Sequence, residues 1–288
     1  LACCRPDQGE AVKVEPHMPA PPAELGGAVG GMFRDAALSN PEGVALRFEG
    51  VEVTYRSLDI QVNRLANGLL SMGLTRGARV AILSENSVEF VIVMLACAKA
   101  GLVAACLNWR QTPDEIAYCL DLTTPAVLFV SDSFAEAIRA GSPQVIRFGA
   151  EFAELSAQGA ATEPSVTVAS EDGLLILFTS GTTGRPKAPV ISHRAVIARG
   201  LLMRADWGVR RTDGFIAWSP LSHMAAADPT LATLMQGATV TLLPGFDAVG
   251  VAKALTQHPV GWLILMPGMI ERLSDALEVQ NGPLQRIA

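Results

Sequence analysis

The sequence predicts an α/β protein built from two sheets of mainly parallel strands with helices covering them. Compact apolar runs of strand length recur along the chain, helix-period segments separate them, and one run opens into a loop of hydroxyls, glycines and cations. Strands buried on both faces read as near-continuous apolar runs, and repeated exchange of strand for helix implies right-handed crossovers between parallel neighbours.

The first series of expected strands covers residues 79–84, 102–107, 126–130 and 145–148, all short and apolar. The clearest helix covers 57–72: Leu58, Val62, Leu65, Ala66 and Leu69 recur at three and four residues, and Gly73 stands at its natural stop. The stretch 90–107 reads as a buried helix running into a buried strand, because Lys99 and Gly101 interrupt it. A membrane span wants about 20 apolar residues, so none is expected. A second series places strands at 215–218, 239–243 and 262–266, with helices at about 193–206, 224–235, 247–257 and 268–278. This many strands suits two sheets.

Composition narrows the function classes. Of 288 residues, 50% are apolar and 17% charged, the profile of a chain with a well-covered interior. A net charge of -6 without a Lys/Arg run offers no footprint for nucleic acid or an anionic membrane. Cys97, Cys106 and Cys119 lie among apolar residues as small hydrophobes, which fits a reducing cytoplasm. Residues 1–24 carry five prolines and no periodicity, so a disordered tail is expected there, with the folded part at 25–288 subdivided near 190.

The chemistry concentrates in residues 174–189, LLILFTSGTTGRPKAP, where an apolar strand opens directly into the loop. Gly181 and Gly184 let the main chain bend closely around a ligand, and Thr179, Ser180, Thr182 and Thr183 add hydroxyl donors. Arg185 and Lys187 supply positive charge. A plain turn needs no such set of donors behind a buried strand, whereas a polyphosphate does. The P-loop of NTPases places Lys directly after its second Gly; here Arg185 and Pro186 intervene.

TSGTTGRPK resembles the signature loop of the adenylate-forming, AMP-binding superfamily of acyl-CoA synthetases, peptide-synthetase adenylation domains and luciferases. The resemblance extends over about residues 25–288. Val53-Thr54-Tyr55-Arg56-Ser57-Leu58 looks like the family's early T-Y-x-x-L element, and residues 95–101, LACAKAG, are similar to its L-x-x-x-K-A-G helix end. Leu107-Asn108-Trp109-Arg110 followed by Thr112-Pro113-Asp114-Glu115 is similar to fatty-acyl and aryl-acid CoA ligases. The implied fold is the large amino-terminal domain of that family.

The implied reaction activates a carboxylic acid with ATP to an acyl-adenylate, from which coenzyme A displaces AMP. By resemblance, Lys187 and the loop from Thr179 to Arg185 would hold the phosphates, with Thr183 reaching magnesium. His223, in Pro220-Leu221-Ser222-His223, would border the acid pocket. His193 follows Ser192, a ready N-cap, and reads as structural. No feature sets an oligomeric state.

The chain departs from the family pattern in three places. Ala188 and Pro189 stand where glycine usually follows the loop lysine, so loop closure is expected to be altered. Ala226 replaces a glycine behind His223, with the pocket wall expected to be slightly filled. The family's later elements, including its carboxy-terminal lid, are absent from these residues, so this stretch alone is expected to catalyse neither step. The alternative is a non-catalytic nucleotide-binding or interaction protein of the same fold.

Overall fold

The computed structural model describes residues 27–138, 143–179 and 185–280. The expected tail at 1–24 therefore lies outside the described residues.

The chain opens with α1 (Val29–Ser39) and a hairpin of β1 (Val44–Phe48) and β2 (Val51–Thr54), then α2 (Tyr55–Ser71). Alternation follows through β3 (Arg79–Leu83), α3 (Val88–Ala100), β4 (Val103–Cys106), α4 (Pro113–Thr123) and β5 (Val127–Val130). A 3-10 turn (Asp132–Ala137) leads toward β6 (Gln144–Arg147), α5 (Ala150–Gln158) and β7 (Gly173–Leu177). The chain continues through β8 (Val190–Ser192), α6 (His193–Trp207), β9 (Gly214–Ala217), α7 (Met224–Met235) and β10 (Val240–Leu242). It goes on through α8 (Ala248–Gln257), β11 (Val260–Trp262) and α9 (Met269–Gln280).

Two sheets result, as expected. One runs β6-β5-β3-β4-β7-β8 and the other β11-β9-β10-β1-β2, parallel throughout except for the β7–β8 and β1–β2 pairs. Strand alternation divides the first sheet between two cores. Val80, Ile82, Ala104, Cys106 and Phe129 face a central layer of helices, while Ala81, Leu83, Ala105, Leu128 and Val130 face Ile116, Cys119 and Leu120 of α4. The second sheet meets the same central layer through Leu46, Phe215, Ala217 and Val240. Its other face carries α8 and α9 through Ile216, Val251, Leu255 and Leu273. α3 lies in the central layer with every residue from Phe90 to Ala100 buried, which explains why its sequence is apolar on all sides.

One expected strand is displaced. Residues 262–266 read as β from their apolar run, yet β11 ends at Trp262. The Ile264 carbonyl accepts the Trp218 indole N–H at 2.6 Å instead of extending the ladder, and Pro267 follows shortly after. The β1–β2 hairpin, α1, α4, α5 and β8 were not singled out by periodicity. Glu49 and Gly50 both take positive φ in the hairpin turn, and Glu is an unusual residue there. α4 begins with a full capping box between Thr112 and Glu115.

Polar anchors tie the central helices together. The Lys99 ammonium, wholly buried, donates to Asp59 Oδ1 at 2.7 Å, Asn63 Oδ1 at 2.8 Å and Glu163 Oε2 at 2.5 Å. Tyr55 directs its hydroxyl at the Ala238 carbonyl at 2.7 Å, joining the start of α2 to the segment after α7. Burial pushes the Cys97 and Cys106 thiols well above their usual range, and they behave as core hydrophobes.

His193 confirms its structural reading in detail. Ser192 caps α6 by accepting the Ala195 N–H, and His193 Nδ1 accepts the first amide of α1, Val29 N–H, at 3.1 Å. The ring is fully buried, and desolvation lowers its pKa to about 4.

Two stability predictions follow from these anchors. Unfolded His193 gains a proton near pH 6.5 and folded His193 only near 4, so stability falls as pH drops through that window. Its share of the loss is of order 3 kcal/mol. In urea unfolding, His193→Asn keeps an acceptor for Val29 and should flatten the profile; an identical pH dependence in both proteins would contradict the assignment. Lys99→Met leaves Asp59 and Glu163 facing each other and should cost about 3 kcal/mol, measured the same way. A loss below about 1 kcal/mol would show that the cluster is not an anchor.

Candidate functional site

Parallel strands gather their following loops at one edge, the usual place for ligands in open α/β sheets. Here the loops after β3, β4, β7, β9 and β10 include residues 84–87, 107–112, 178–189, 218–223 and 243–247. The side chain of Asn86, just after β3, hydrogen-bonds the backbone at the ends of β9 and β10. The carboxyl ends of the two sheets therefore converge.

The phosphate-loop candidate leaves the buried β7, whose Leu175 and Leu177 face the central core and whose Ile176 faces α4. Its neck is closed by main chain. Thr179 N–H donates to the Lys187 carbonyl and Lys187 N–H to the Thr179 carbonyl, both at 3.0 Å. Ser180, Gly181, Thr182, Thr183 and Gly184 lie outside the described residues. Thr179, Arg185 and Lys187 are exposed at the two ends of the loop. The Arg185 guanidinium lies over the Tyr118 ring of α4 at 5.4 Å, which turns it toward the outer face of the sheet.

The departure after Lys187 has a structural answer. Among the described residues outside glycine, only Glu49 and Thr124 have positive φ, so Ala188 occupies an ordinary backbone conformation. Its methyl packs against the core shared with α4, and the Thr179–Lys187 pairing closes the loop without a glycine. Ala226 is fully buried in the central core, one turn into α7.

His223 is the N-cap residue of α7 and half-buried. Its carbonyl accepts the Ala226 and Ala227 amides at 3.0 Å, while its own amide donates to Pro220 O at 2.9 Å. Burial and the charge of Arg110 both hold its pKa below the ordinary 6.5, leaving a neutral imidazole at pH 7. Arg110 reaches that neighbourhood from the loop after β4, with its guanidinium over the Trp109 ring at 4.6 Å. Trp109 in turn stacks on Phe134 at 5.8 Å.

Asn86 escaped the sequence reading. It is 2% exposed, and its carboxamide nitrogen lies 2.8–3.1 Å from the carbonyl oxygens of Ala217, Ser219 and Leu243, which share its two hydrogens, while its oxygen accepts Leu221 N–H at 2.8 Å. An Asn three residues past a strand is a common turn residue, so only the fold discloses its partners. Among the described residues, no group of three or more His, Cys, Asp or Glu side chains could hold a metal ion. No described helix is long and apolar enough to cross a membrane.

Comparison with known proteins places this arrangement. The family model for AMP-binding enzymes matches residues 33–287. The long-chain-fatty-acid–CoA ligase FadD13 of Mycobacterium tuberculosis is 33% identical over 242 residues, covering 81% of this chain and 48% of that protein. Feruloyl-CoA synthase of an Amycolatopsis species is 31% identical over 240 residues, covering 83% and 48%. The inhibitor-bound N-terminal domain of FACL13 from Mycobacterium tuberculosis superposes with a TM-score of 0.81 at 29% identity, covering 90% of this chain and 67% of that one. The chain spans about half the length of the curated relatives it matches. With two mainly parallel sheets, a central helical layer and this family match over nearly its whole described length, the chain belongs to the AMP-binding enzyme family.

Proposed function

We propose that these residues form the amino-terminal, phosphate-binding part of a ligase that activates a fatty or aryl carboxylic acid with ATP and passes the acyl group to coenzyme A. The observation that carries this reading is the main-chain closure of Thr179 on Lys187 at the carboxyl end of a buried parallel strand. It holds the ends of a loop whose donors suit a polyphosphate. Family membership and the fatty-acid and aryl-acid ligases among the relatives support the same reading.

On this proposal the acid's carboxylate oxygen attacks the α-phosphorus of ATP. The bond from that phosphorus to the bridging oxygen breaks, and pyrophosphate leaves with the electron pair. Both reactants are anions, so the chain must supply positive charge and donors that hold the leaving group in line. Lys187 and the loop from Thr179 to Gly184 do this, with Arg185 adding charge at the rim. His223, neutral at pH 7, orients the carboxylate without competing for its charge. The coenzyme A sulfur then attacks the acyl carbon and AMP departs. Thr183 is the residue of this chain that would hold a magnesium ion accompanying the nucleotide, and the ion would supply neutralisation of phosphate charge.

Lys187→Ala in a ligase-length protein carrying these residues should weaken ATP binding by about 1.5–3 kcal/mol, the worth of hydrogen bonds to a charged group. Unchanged affinity in calorimetric titration would remove Lys187 from the site. Pyrophosphate release measured on the same protein against fatty and aryl acids should show acid-dependent turnover. ATP binding with no release for any acid would favour the non-catalytic alternative.

A further inference from the structure

We propose that Asn86 is a positioning residue for His223: from the six-stranded sheet it locks the loop that presents this ring at the junction of the two sheets. The inference rests on the reading of His223 as a residue of the acid site, and its geometry stands independently. All four of its hydrogen bonds go to backbone at the end of β9, in the loop from Ser219 to Leu221, and just past β10. The partners fix the amide's orientation, with nitrogen toward three carbonyls and oxygen toward one N–H.

Substitution cannot reproduce this set. Asp lacks the donor and places charge against three carbonyl oxygens, and Ala leaves Leu221 N–H without its acceptor. Leu221 is wholly buried and Ser222 nearly so, so water does not reach Leu221 N–H to replace its lost acceptor. The chain of support runs onward from Leu221, because Pro220 O accepts the His223 amide and His223 O starts α7. Asn86 thereby links the place of His223 to β3, a strand of the other sheet.

The test uses the 288-residue chain without substrate. Amide exchange should show Leu221 protected at least about tenfold over open-loop amides, as a retained hydrogen bond requires. In Asn86→Ala that protection should vanish, and the His223 ring titration should move up toward 6.5 while that of His193 stays in place. A general loss of stability would not separate the two histidines in this way. Open-loop exchange at Leu221 in the unsubstituted chain, or an unmoved His223 in folded Asn86→Ala, would overturn the proposal. If Asn86→Ala does not fold, the Leu221 exchange rate in the unsubstituted chain decides. Failure of the pyrophosphate assay would strike the proposed chemistry and leave these readings untouched.

Discussion

Two main-chain hydrogen bonds between Thr179 and Lys187 set the terms for everything placed at the edge of the six-stranded sheet. Fixing the backbone of one residue in a single conformation costs roughly 1–2 kcal/mol. Pinning both ends before a ligand arrives removes part of that cost. The pins hold because β7 is buried on both faces and β8 returns antiparallel beside it, leading straight into the Ser192 cap of α6.

The second requirement is that two separate sheets present their strand ends to one place. The central helices act as the spacer: α3 is buried on every side, Lys99 ties it to α2, and His193 ties the start of α6 to the start of α1. Lys99 finds three partners inside the layer, and His193 takes Val29 N–H on Nδ1 while its buried Nε2 has no partner among the described residues. Across the spacer, Asn86 joins the end of β3 to the ends of β9 and β10. Arg110 from one sheet and His223 from the other then come close enough for the arginine charge to add to burial in holding the imidazole pKa below its ordinary value.

Much of this was legible from residues alone. Buried parallel strands announce themselves as apolar runs, so β3, β4, β5, β9 and β10 were placed to within about a residue or two, as was α7. The phosphate-loop segment stood out by chemistry, since no packing demand explains its hydroxyls and cations. What stayed hidden depends on tertiary partners. The residues after Trp262 are as apolar as a strand, but a Trp218 indole takes the Ile264 carbonyl. The β1–β2 hairpin carries Glu49 at a positive φ that its residue type does not advertise. Asn86 looked like an ordinary turn residue, and its four bonds reach residues more than 130 positions away. Altered loop closure was expected from Ala188 and Pro189 after Lys187, yet Thr179 and Lys187 pair through their backbones and Ala188 takes an ordinary conformation.

The proposed role of this loop is tested most directly by following backbone amide resonances while ATP, and separately AMP, is added to the chain. The account predicts that ATP shifts the amides of residues 179–187 strongly and that AMP, lacking the β- and γ-phosphates, shifts them far less. Equal responses to both nucleotides, or ATP-dependent shifts confined to other segments, would contradict it.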